Sequence, residues 1–416
     1  MGGGAFAPTP THARDNVVWS RYHTLGDASM SAQDRRDFLQ LAGLTGMFSA
    51  VAPQALAQGA SGAFTVDPAN TSKAEIKPKH SIKFAAIGLD HAHIYGMINA
   101  VQRGGGELVA FHSKDDAQIA EFRKRFGDVK LAASEDEILG DKSIQLVAGA
   151  PIPDLRAPLG LRVMKAGKDY LADKPGITTL EQLAAVRAAV KTTKRKFAIM
   201  YSERLEVRSA VYAGKLIKQG AIGRVVQTVN LAPHRVNAPS RPDWFWDKAR
   251  YGGILTDIGS HQADQFLYYT GSTRAKVVAA QTGNLNYPDH PKFEDFGDMV
   301  MSGNGGTGYV RVDWFTPDGL DTWGDGRLFV LGTEGYIELR KYTNVASGLT
   351  GGNHLYIVDK KQARHIDCKD VPLPFGPEFV TDIVERTQVA QDQDQALLAA
   401  ELVLKAQKIA TRPITA

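Results

Sequence analysis

Alternating apolar strands and amphipathic helices across residues 80–204 constrain the fold of this chain more than any other sequence feature. Strands are predicted at 80–90, 106–113, 143–151, 168–175 and 196–204, and helices at 94–102, 115–126, 158–166 and 180–191 lie between them. Strands that alternate with helices form a parallel sheet through right-handed crossovers. The first part of the chain is therefore predicted to be an α/β domain built on a parallel sheet.

The pattern changes after about Arg204, where longer strand-like segments follow one another with few helices between them. These segments lie at 225–233, 275–283, 296–303, 307–315, 327–341 and 353–360, and a closing helix is predicted at about 396–411. Strands joined by short Gly, Asn and Asp turns indicate a mostly antiparallel sheet with one open face. Because 416 residues exceed what one hydrophobic core usually serves, we predict two domains, 80–203 and 204–416.

The N-terminal part is typical of an export signal. Arg35 and Arg36 precede an uncharged apolar run that ends at the small-x-small site Ala55-Leu56-Ala57. Paired arginines in this setting are typical of the twin-arginine route, whose export machinery is then a partner. The alternative is a membrane anchor, but glycines, Pro53 and Gln54 interrupt the run, so no stable anchor is expected.

Three N-terminal segments follow from this interpretation. Residues 1–29 are predicted to be a non-native or disordered extension, 30–57 the signal peptide and 58–79 a flexible lead-in. Cleavage near Ala57 would leave the protein periplasmic or secreted. An exported enzyme cannot draw on the cytosolic nicotinamide pool, so any dinucleotide should be tightly held.

Composition excludes several classes of protein. The net charge of +4 is small for this length, and no RNP, zinc-finger or basic-helix pattern is present, so no nucleic-acid partner is expected. Cys368 is the only cysteine, which excludes an intramolecular disulfide and a cysteine-based metal site.

The first strand, its glycine turn and the following helix are typical of a dinucleotide-binding unit. The turn reads Gly88-Leu89-Asp90-His91-Ala92-His93, so Asp90 and His93 stand where the fingerprint has its second and third glycines. The second strand ends in His112-Ser113-Lys114 in place of the acid that binds a ribose 2′-hydroxyl. A hydroxyl and a cation suit a 2′-phosphate, so NADP is favoured over NAD; the alternative is that both are ordinary loop residues.

The same turn raises the question of a metal site. His91 and His93 form an H-x-H pair, which can bind a metal ion from an extended segment. A third fixed ligand is not evident from the sequence. Polar contacts to the nucleotide or substrate are therefore favoured, and no metal is predicted.

A second group of polar residues is typical of hydride-transfer chemistry. Lys174 follows the fourth strand, and Asp257, His261 and Asp264 are spaced to share one face of a helix. Histidine suits acceptance of the hydroxyl proton, lysine can stabilise the developing alkoxide, and a carboxylate can orient either group. The structural alternative is a capping Asp257 beside an ordinary core histidine.

Taken in order, several segments resemble the glucose–fructose oxidoreductase / inositol dehydrogenase / MocA (Gfo/Idh/MocA) family from about Ile82 to Pro413. They are ADKPGITTLEQ (172–182), LIKQGAIGRVV (216–226), GGILTDIGSHQADQFLYYTG (252–271), LGTEGYIEL (331–339) and AQKIATRPI (406–414). The resemblance implies a Rossmann domain followed by an α/β domain whose open, mostly antiparallel sheet often forms an oligomer face, so a homo-oligomer is expected. This sequence departs from the family pattern at the glycine turn and at Pro151–Asp154, where the family has an Asn-His string.

The resemblance also implies roles for individual residues. Lys174, Asp257 and His261 form the expected catalytic set, with sugars, inositols or related polyols as substrates. The cofactor-binding residues are then predicted to be Gly88, Asp90, His91, His93, Ser113, Lys114, Pro151, Asp173 and Lys174. Substrate contacts are expected from His234, Arg235, Trp244 and Asp264, although the 233–246 loop equally suits a dimer contact.

Three functions remain open at this point. The first is an NAD(P)-dependent dehydrogenase that oxidises a hydroxyl of a sugar or polyol, as in EC 1.1.1. The second is a glycoside-cleaving or epimerising enzyme that oxidises a ring carbon transiently and then returns the hydride. The third is a non-catalytic binding protein with a decayed site.

Overall fold

Residues 66–347 and 351–412 are described here from a computed structural model. The predicted extension at 1–29, the predicted signal peptide at 30–57 and residues 58–65 lie outside the described residues. Within the described part, no helix combines the length and the apolar character needed to cross a bilayer.

The first sheet has six parallel strands in the order β4-β3-β2-β5-β6-β7. Its strands are β2 (Ile82–Ile87), β3 (Gly106–His112), β4 (Lys130–Leu131), β5 (Ile144–Gly149), β6 (Asp169–Asp173) and β7 (Phe197–Met200). The helices between them are α1 (His93–Arg103), α2 (Asp116–Phe126), α3 (Glu135–Gly140), α4 (Pro153–Lys165) and α5 (Leu180–Thr193). The predicted parallel α/β sheet is confirmed.

Short polar residues set the starts of three of these helices. Asp115, Ser134 and Thr179 each accept a hydrogen bond from a backbone N–H in the first turn of the helix that follows. Such caps satisfy amides that have no partner within the helix. The first helix differs, because Ala92 at its N-terminus provides no side-chain cap.

The second sheet has nine strands in the order β1-β15-β14-β13-β12-β8-β11-β10-β9. Its strands are β1 (Val66–Pro68), β8 (Val225–Pro233), β9 (Ala275–Gly283), β10 (Phe296–Gly303), β11 (Gly306–Asp313), β12 (Arg327–Gly332), β13 (Tyr336–Arg340), β14 (His354–Val358) and β15 (Ala363–Asp367). All neighbouring pairs are antiparallel except β1–β15 and β8–β11. The predicted mostly antiparallel sheet is therefore confirmed.

Seven helices complete the described fold. They are α6 (Ser202–Leu205), α7 (Arg208–Lys218), α8 (Lys248–Tyr251), α9 (Ile254–Asp257), α10 (Gly259–Thr270), α11 (Phe375–Glu385) and α12 (Gln393–Ile409), with 3₁₀ turns at Ala238–Ser240 and Asp243–Trp246. Helix α10 packs on β8 and β11, while α12 packs on β9 of one sheet and β7 of the other. The last helix therefore joins the two sheets through one shared core.

Burial alternates along the strands of the larger sheet, as expected when one face is covered and the other is open. In β12, Leu328 and Val330 are wholly buried, whereas Leu331 on the opposite face is 38% exposed. Val278 and Val300 are exposed on β9 and β10. An open sheet face with apolar side chains is thus present.

A short part of the predicted lead-in at 58–79 forms regular structure. Val66–Pro68 forms the edge strand β1, which pairs in parallel with β15 through Val66–His365 and Pro68–Asp367. Strand β15 and helix α11 were not predicted either. An edge strand of three residues has too little local sequence signal to be recognised, since its stability comes from backbone pairing with a distant partner.

Candidate active site

A cavity of about 280 Å³ lies where the carboxyl ends of the smaller sheet face the second sheet. Ligands of open α/β sheets bind at this edge, where strand order reverses, and here the reversal lies between β2 and β5. The predicted site residues that line the cavity are His91, His93, Lys174, His234, Arg235, Trp244, Asp257 and His261.

Lys174 and Asp257 form an ion pair at the cavity. The Lys174 ammonium donates a hydrogen bond to Asp257 Oδ1 at 2.9 Å, although the two residues are 83 positions apart. Lys174 directly follows β6 and its peptide bond to Pro175 is cis, while Asp257 ends helix α9. Both side chains are largely buried, so the pair experiences little screening by solvent.

His261 reaches the cavity from the first turn of α10. Its side chain is only 3% exposed, and among the described residues its Nδ1 has no hydrogen-bond partner. The pKa of His261 is lowered to about 3, mainly by burial and in part by the positive charge of Lys174, whereas Glu203 opposes the shift. The imidazole is therefore neutral at physiological pH.

Glu203 and Lys341 form a buried ion pair beside His261. Lys341 Nζ lies 2.6 Å from Glu203 Oε2, and Gln262 donates to the same oxygen at 3.0 Å. Burial alone would raise the pKa of Glu203, but Lys341 and His261 hold that pKa well below its usual range. A fixed negative charge therefore acts on the imidazole and favours its protonated form.

Aromatic side chains form the wall opposite the smaller sheet. The His234 ring lies 4.5 Å from the Trp323 ring and 5.4 Å from the Trp314 ring, measured between centroids. Burial lowers the pKa of His234 to about 4. Indole faces beside polar groups suit a sugar ring, which has apolar CH surfaces and hydroxyl edges.

Asp173 lies beneath the cavity and binds four groups. Arg156 Nη2 lies 2.9 Å from Oδ2 of Asp173, while the backbone N–H of Lys174 donates to Oδ1 at 2.8 Å. His93 Nδ1 lies 3.0 Å from Oδ1 and His91 Nδ1 lies 3.5 Å from Oδ2. Burial alone would raise the pKa of Asp173, but Arg156 and the two imidazoles lower it well below its usual range.

Comparison with known proteins shows which protein family the two parts of the chain match. Residues 82–201 match the domain described as oxidoreductase family, NAD-binding Rossmann fold, and residues 211–338 match the GFO/IDH/MocA C-terminal domain. A solved structure of a protein from Erwinia carotovora atroseptica SCRI1043, assigned to the oxidoreductases, is 49% identical over 80% of this chain and 99% of its own, with a TM-score of 0.77.

The chain belongs to the Gfo/Idh/MocA family. Among curated members, levoglucosan dehydrogenase of Pseudarthrobacter phenanthrenivorans is 28% identical over 47% of this chain and 50% of its own. The 1,5-anhydro-D-fructose reductase of Ensifer adhaerens is 27% identical over 44% and 55%. The chain thus spans about half the length of these curated relatives.

Solved structures with low identity share the Gfo/Idh/MocA fold. A levoglucosan dehydrogenase in complex with NADH and levoglucosan has a TM-score of 0.65 at 18% identity, covering 79% of this chain and 98% of its own. A 3-ketoreductase from Actinomadura kijaniata in complex with NADP has a TM-score of 0.63 at 18% identity, covering 80% and 99%. Both dinucleotides therefore occur on this fold.

The glycine turn of this Gfo/Idh/MocA protein is compatible with a bound pyrophosphate. Gly88 has φ +76°, and a Cβ there would lie 2.7 Å from Pro151, so only glycine lets the two loops meet. The exposed Asp90 points towards Gln118, whose amide lies 3.4 Å from its carboxylate. At the start of the helix, the backbone N–H groups of His93 and Ile94 donate to Nδ1 and the carbonyl of His91.

The last residue of β3 and the two that follow it, His112 to Lys114, contain no carboxylate. His112 is buried and bonded to the Ala132 carbonyl at 2.9 Å, and the Ser113 hydroxyl donates to Gln118 at 2.7 Å. Lys114 is exposed. The nearby Asp115 accepts the Gln118 N–H as the cap of α2. Of the two residues predicted to bind near the ribose, Ser113 is half-buried and Lys114 is exposed.

Asp264 does not lie where the sequence placed it. It was predicted to contact substrate together with His261, but its side chain is wholly buried and pairs with Arg204 at 2.5 and 2.9 Å, away from the cavity. The helix also does not run continuously from Asp257, because α9 ends there and α10 begins at Gly259. The single-face argument therefore fails for Asp264.

Several cavity residues were not identified from the sequence, among them Arg156, Glu203 and Trp323. A usable signal existed for Glu203, because it follows strand β7 at the same sheet edge as Lys174. Arg156 lies in the second turn of a helix, where an arginine is usually solvated, and Trp323 lies in a loop. Neither position has a spacing that would have distinguished it.

Proposed function

We propose that this protein is an NAD(P)-dependent oxidoreductase that acts on a hydroxyl of a sugar or polyol and holds its cofactor tightly. The observation that carries the proposal is the convergence of the Lys174–Asp257 ion pair and the neutral His261 imidazole on one cavity, at the sheet edge where a dinucleotide binds. The substrates named for levoglucosan dehydrogenase and 1,5-anhydro-D-fructose reductase support the choice of substrate class.

Each residue of the set has a distinct role in this proposal. A bound nicotinamide supplies the hydride acceptor. The Lys174 ammonium donates a hydrogen bond to the substrate oxygen and stabilises the charge that develops there. Asp257 holds that ammonium in position through its 2.9 Å contact.

His261 is the proposed acceptor of the hydroxyl proton. Its ring lines the cavity and is neutral, because burial lowers its pKa. The pKa of about 3 makes the free imidazole a weak base, and the buried negative charge of Glu203 is the feature that favours its protonated form. Glu203 is thus a positioning residue that acts through His261.

NADP is proposed as the preferred dinucleotide. An NAD-specific site has a carboxylate that binds the ribose 2′-hydroxyl at the end of the second strand of the nucleotide-binding unit. Residues 112–114 offer instead a buried histidine, an engaged serine and the exposed Lys114. A cation there favours a 2′-phosphate.

The first experiment asks whether nucleotide is bound and whether the assigned groups act. Denaturation of the purified protein should release close to one NADP or NAD per chain; absence of nucleotide would favour a non-catalytic binding protein. Lys174→Ala and His261→Ala should each abolish turnover with an unchanged circular dichroism spectrum. Lys142→Ala removes an exposed lysine and is the matched control. Full activity in either site variant would overturn the roles given above.

A second candidate is an enzyme that oxidises its substrate transiently and then cleaves or epimerises it. It is favoured by a specific observation: His234 and His261, two imidazoles with lowered pKa, line the same cavity. Net oxidation of one hydroxyl needs one proton acceptor, whereas elimination or inversion uses a second acid or base. Release of aglycone from a glycoside without reduction of added cofactor would select this candidate.

Two further parts of the proposal concern the protein's location and assembly. Export by the twin-arginine route is supported by Arg35, Arg36 and the Ala55–Ala57 site, and loss of periplasmic protein in an Arg35→Lys/Arg36→Lys variant would test it. Assembly through the open face of the larger sheet is supported by exposed Val278 and Val300. Light scattering of the purified protein tests for a homo-oligomer.

A further inference from the structure

Two imidazoles and one carboxylate meet at the floor of the cavity. One nitrogen each of His91 and His93 and one oxygen of Asp173 all lie within 4.8 Å of one another. His93 Nδ1 is 3.0 Å from Oδ1 of the carboxylate, and His91 Nδ1 is 3.5 Å from Oδ2. The sequence offered two of these groups as an H-x-H pair; the fold adds the third from strand β6, 80 residues further along the chain.

These separations suit one shared cation. Ligand atoms that each lie about 2.1 Å from a metal ion are about 3.0 Å apart at right angles and about 3.4 Å apart in a tetrahedron. The 3.0 Å separation of His93 Nδ1 and Asp173 Oδ1 falls in this range, and the three ligand atoms all lie within 4.8 Å of one another. Two imidazoles with one carboxylate form a ligand set typical of Zn²⁺, Fe²⁺ and related first-row ions.

Neighbouring groups fix the orientation of the Asp173 carboxylate, as a metal ligand requires. Arg156 binds Asp173 Oδ2 at 2.9 Å and is itself fixed by the Pro151 carbonyl at 2.8 Å. The backbone N–H of Lys174 bonds Oδ1. Such outer contacts orient the ligands of metal sites. Beside the cluster, Arg156 pairs with Asp173 and Lys174 pairs with Asp257.

Access to the cluster is open from one side only. Asp173 is 1% exposed, whereas the His91 and His93 side chains are 25% and 44% exposed, and both line the cavity with Lys174. An ion bound by the three groups would therefore keep its remaining positions towards the cavity. Three protein ligands with open positions are typical of catalytic metal sites and not of structural ones.

We propose that His91, His93 and Asp173 form a binding site for one divalent first-row transition-metal ion. The ion's open positions face the cavity and take water or an oxygen atom of the substrate, which the ion polarises as a Lewis acid. This site goes beyond the redox proposal, since it requires no dinucleotide. It also assigns a function to the two histidines of the turn at 88–93, where the dinucleotide-binding fingerprint has glycines.

The test measures binding of Co²⁺ alone to the full-length protein. Nucleotide and adventitious metal are first removed with charcoal and a chelator, and Co²⁺ is then followed by calorimetry and by its visible absorption bands. The expected result is one ion per chain with bands of low coordination number, displaced by Zn²⁺. His91→Gln and His93→Gln should each weaken Co²⁺ binding at least 10-fold.

Two controls make the outcome decisive. His80→Gln removes a surface imidazole that bonds Glu385 and should leave Co²⁺ affinity unchanged. His91 and His93 are substituted in preference to the wholly buried Asp173, and circular dichroism verifies that each variant is folded. Equal Co²⁺ binding by the wild type and a His91→Gln/His93→Gln double variant would overturn the proposal, as would the absence of binding by the wild type.

Discussion

The buried imidazole of His261 should make the protein less stable in mildly acidic solution. Burial lowers its pKa to about 3 in the folded state, against an ordinary value of 6.5. Between these two values the unfolded chain binds a proton at this site and the folded chain does not. Stability is therefore fully present above pH 6.5 and is lost as the pH falls towards 3.

The size of the effect follows from the two pKa values. Between pH 7.5 and pH 5.0, one group with this shift changes the free energy of unfolding by about 2 kcal/mol, since each full pH unit inside the window is worth about 1.4 kcal/mol. Glu378 acts in the opposite direction, because burial raises its pKa to about 7. The prediction is therefore a difference between wild type and His261→Gln, in which all other groups cancel.

Urea unfolding followed by tryptophan fluorescence at the two pH values provides the measurement. Acidification should cost wild type about 2 kcal/mol more than it costs His261→Gln. His290→Gln, in a partly exposed loop, controls for removal of an imidazole elsewhere. Equal pH dependence in wild type and His261→Gln would refute the claim that this imidazole is buried in its neutral form.

Three further predictions concern the packing around the site. Arg204→Met leaves the Asp264 carboxylate buried without its partner, so thermal or urea unfolding should show a loss of about 3–5 kcal/mol, and Asp264→Leu in the same chain should restore much of it. Gly376→Ala places a Cβ 2.1 Å from the Ala100 carbonyl where α11 meets α1, and a loss of about 1–3 kcal/mol is expected; no change would show that the helices can separate freely. Cys368 is fully buried and burial raises its thiol pKa, so a thiol reagent should react with it only after denaturation, and rapid labelling of the native protein would contradict its placement.

Local sequence patterns were sufficient for most of the regular structure. The apolar runs that predicted β2, β3, β5, β6 and β7 coincide with the observed strands, because a buried parallel strand must be apolar on both faces. Helix α4 began earlier than predicted, at Pro153, which is a favourable first residue of a helix. Strand β4 and helix α3 were missed, since two and six residues carry little periodic signal.

Site residues that directly follow a strand could be predicted from the sequence. The prediction failed where the direction of a side chain depends on a partner distant in the sequence. Lys174 is placed by β6, so its position at the sheet edge could be inferred. Asp264 and His261 are three residues apart on one helix, yet Asp264 is drawn to Arg204 while His261 faces the cavity. Only the fold supplies Arg204, 60 residues earlier in the chain, at that position.

By itself, the sequence determined the two kinds of sheet, the order of their strands along the chain and the sheet edge at which chemistry is possible. These properties rest on hydrophobic periodicity and on the residues that follow each strand, which are local. Only the tertiary structure decided which charges pair: Asp173 with Arg156 and the two histidines, and Glu203 with Lys341, 138 residues away. The physical reason is that a buried charge must find an opposite charge or a hydrogen-bond donor, and which group can reach it depends on how the elements pack.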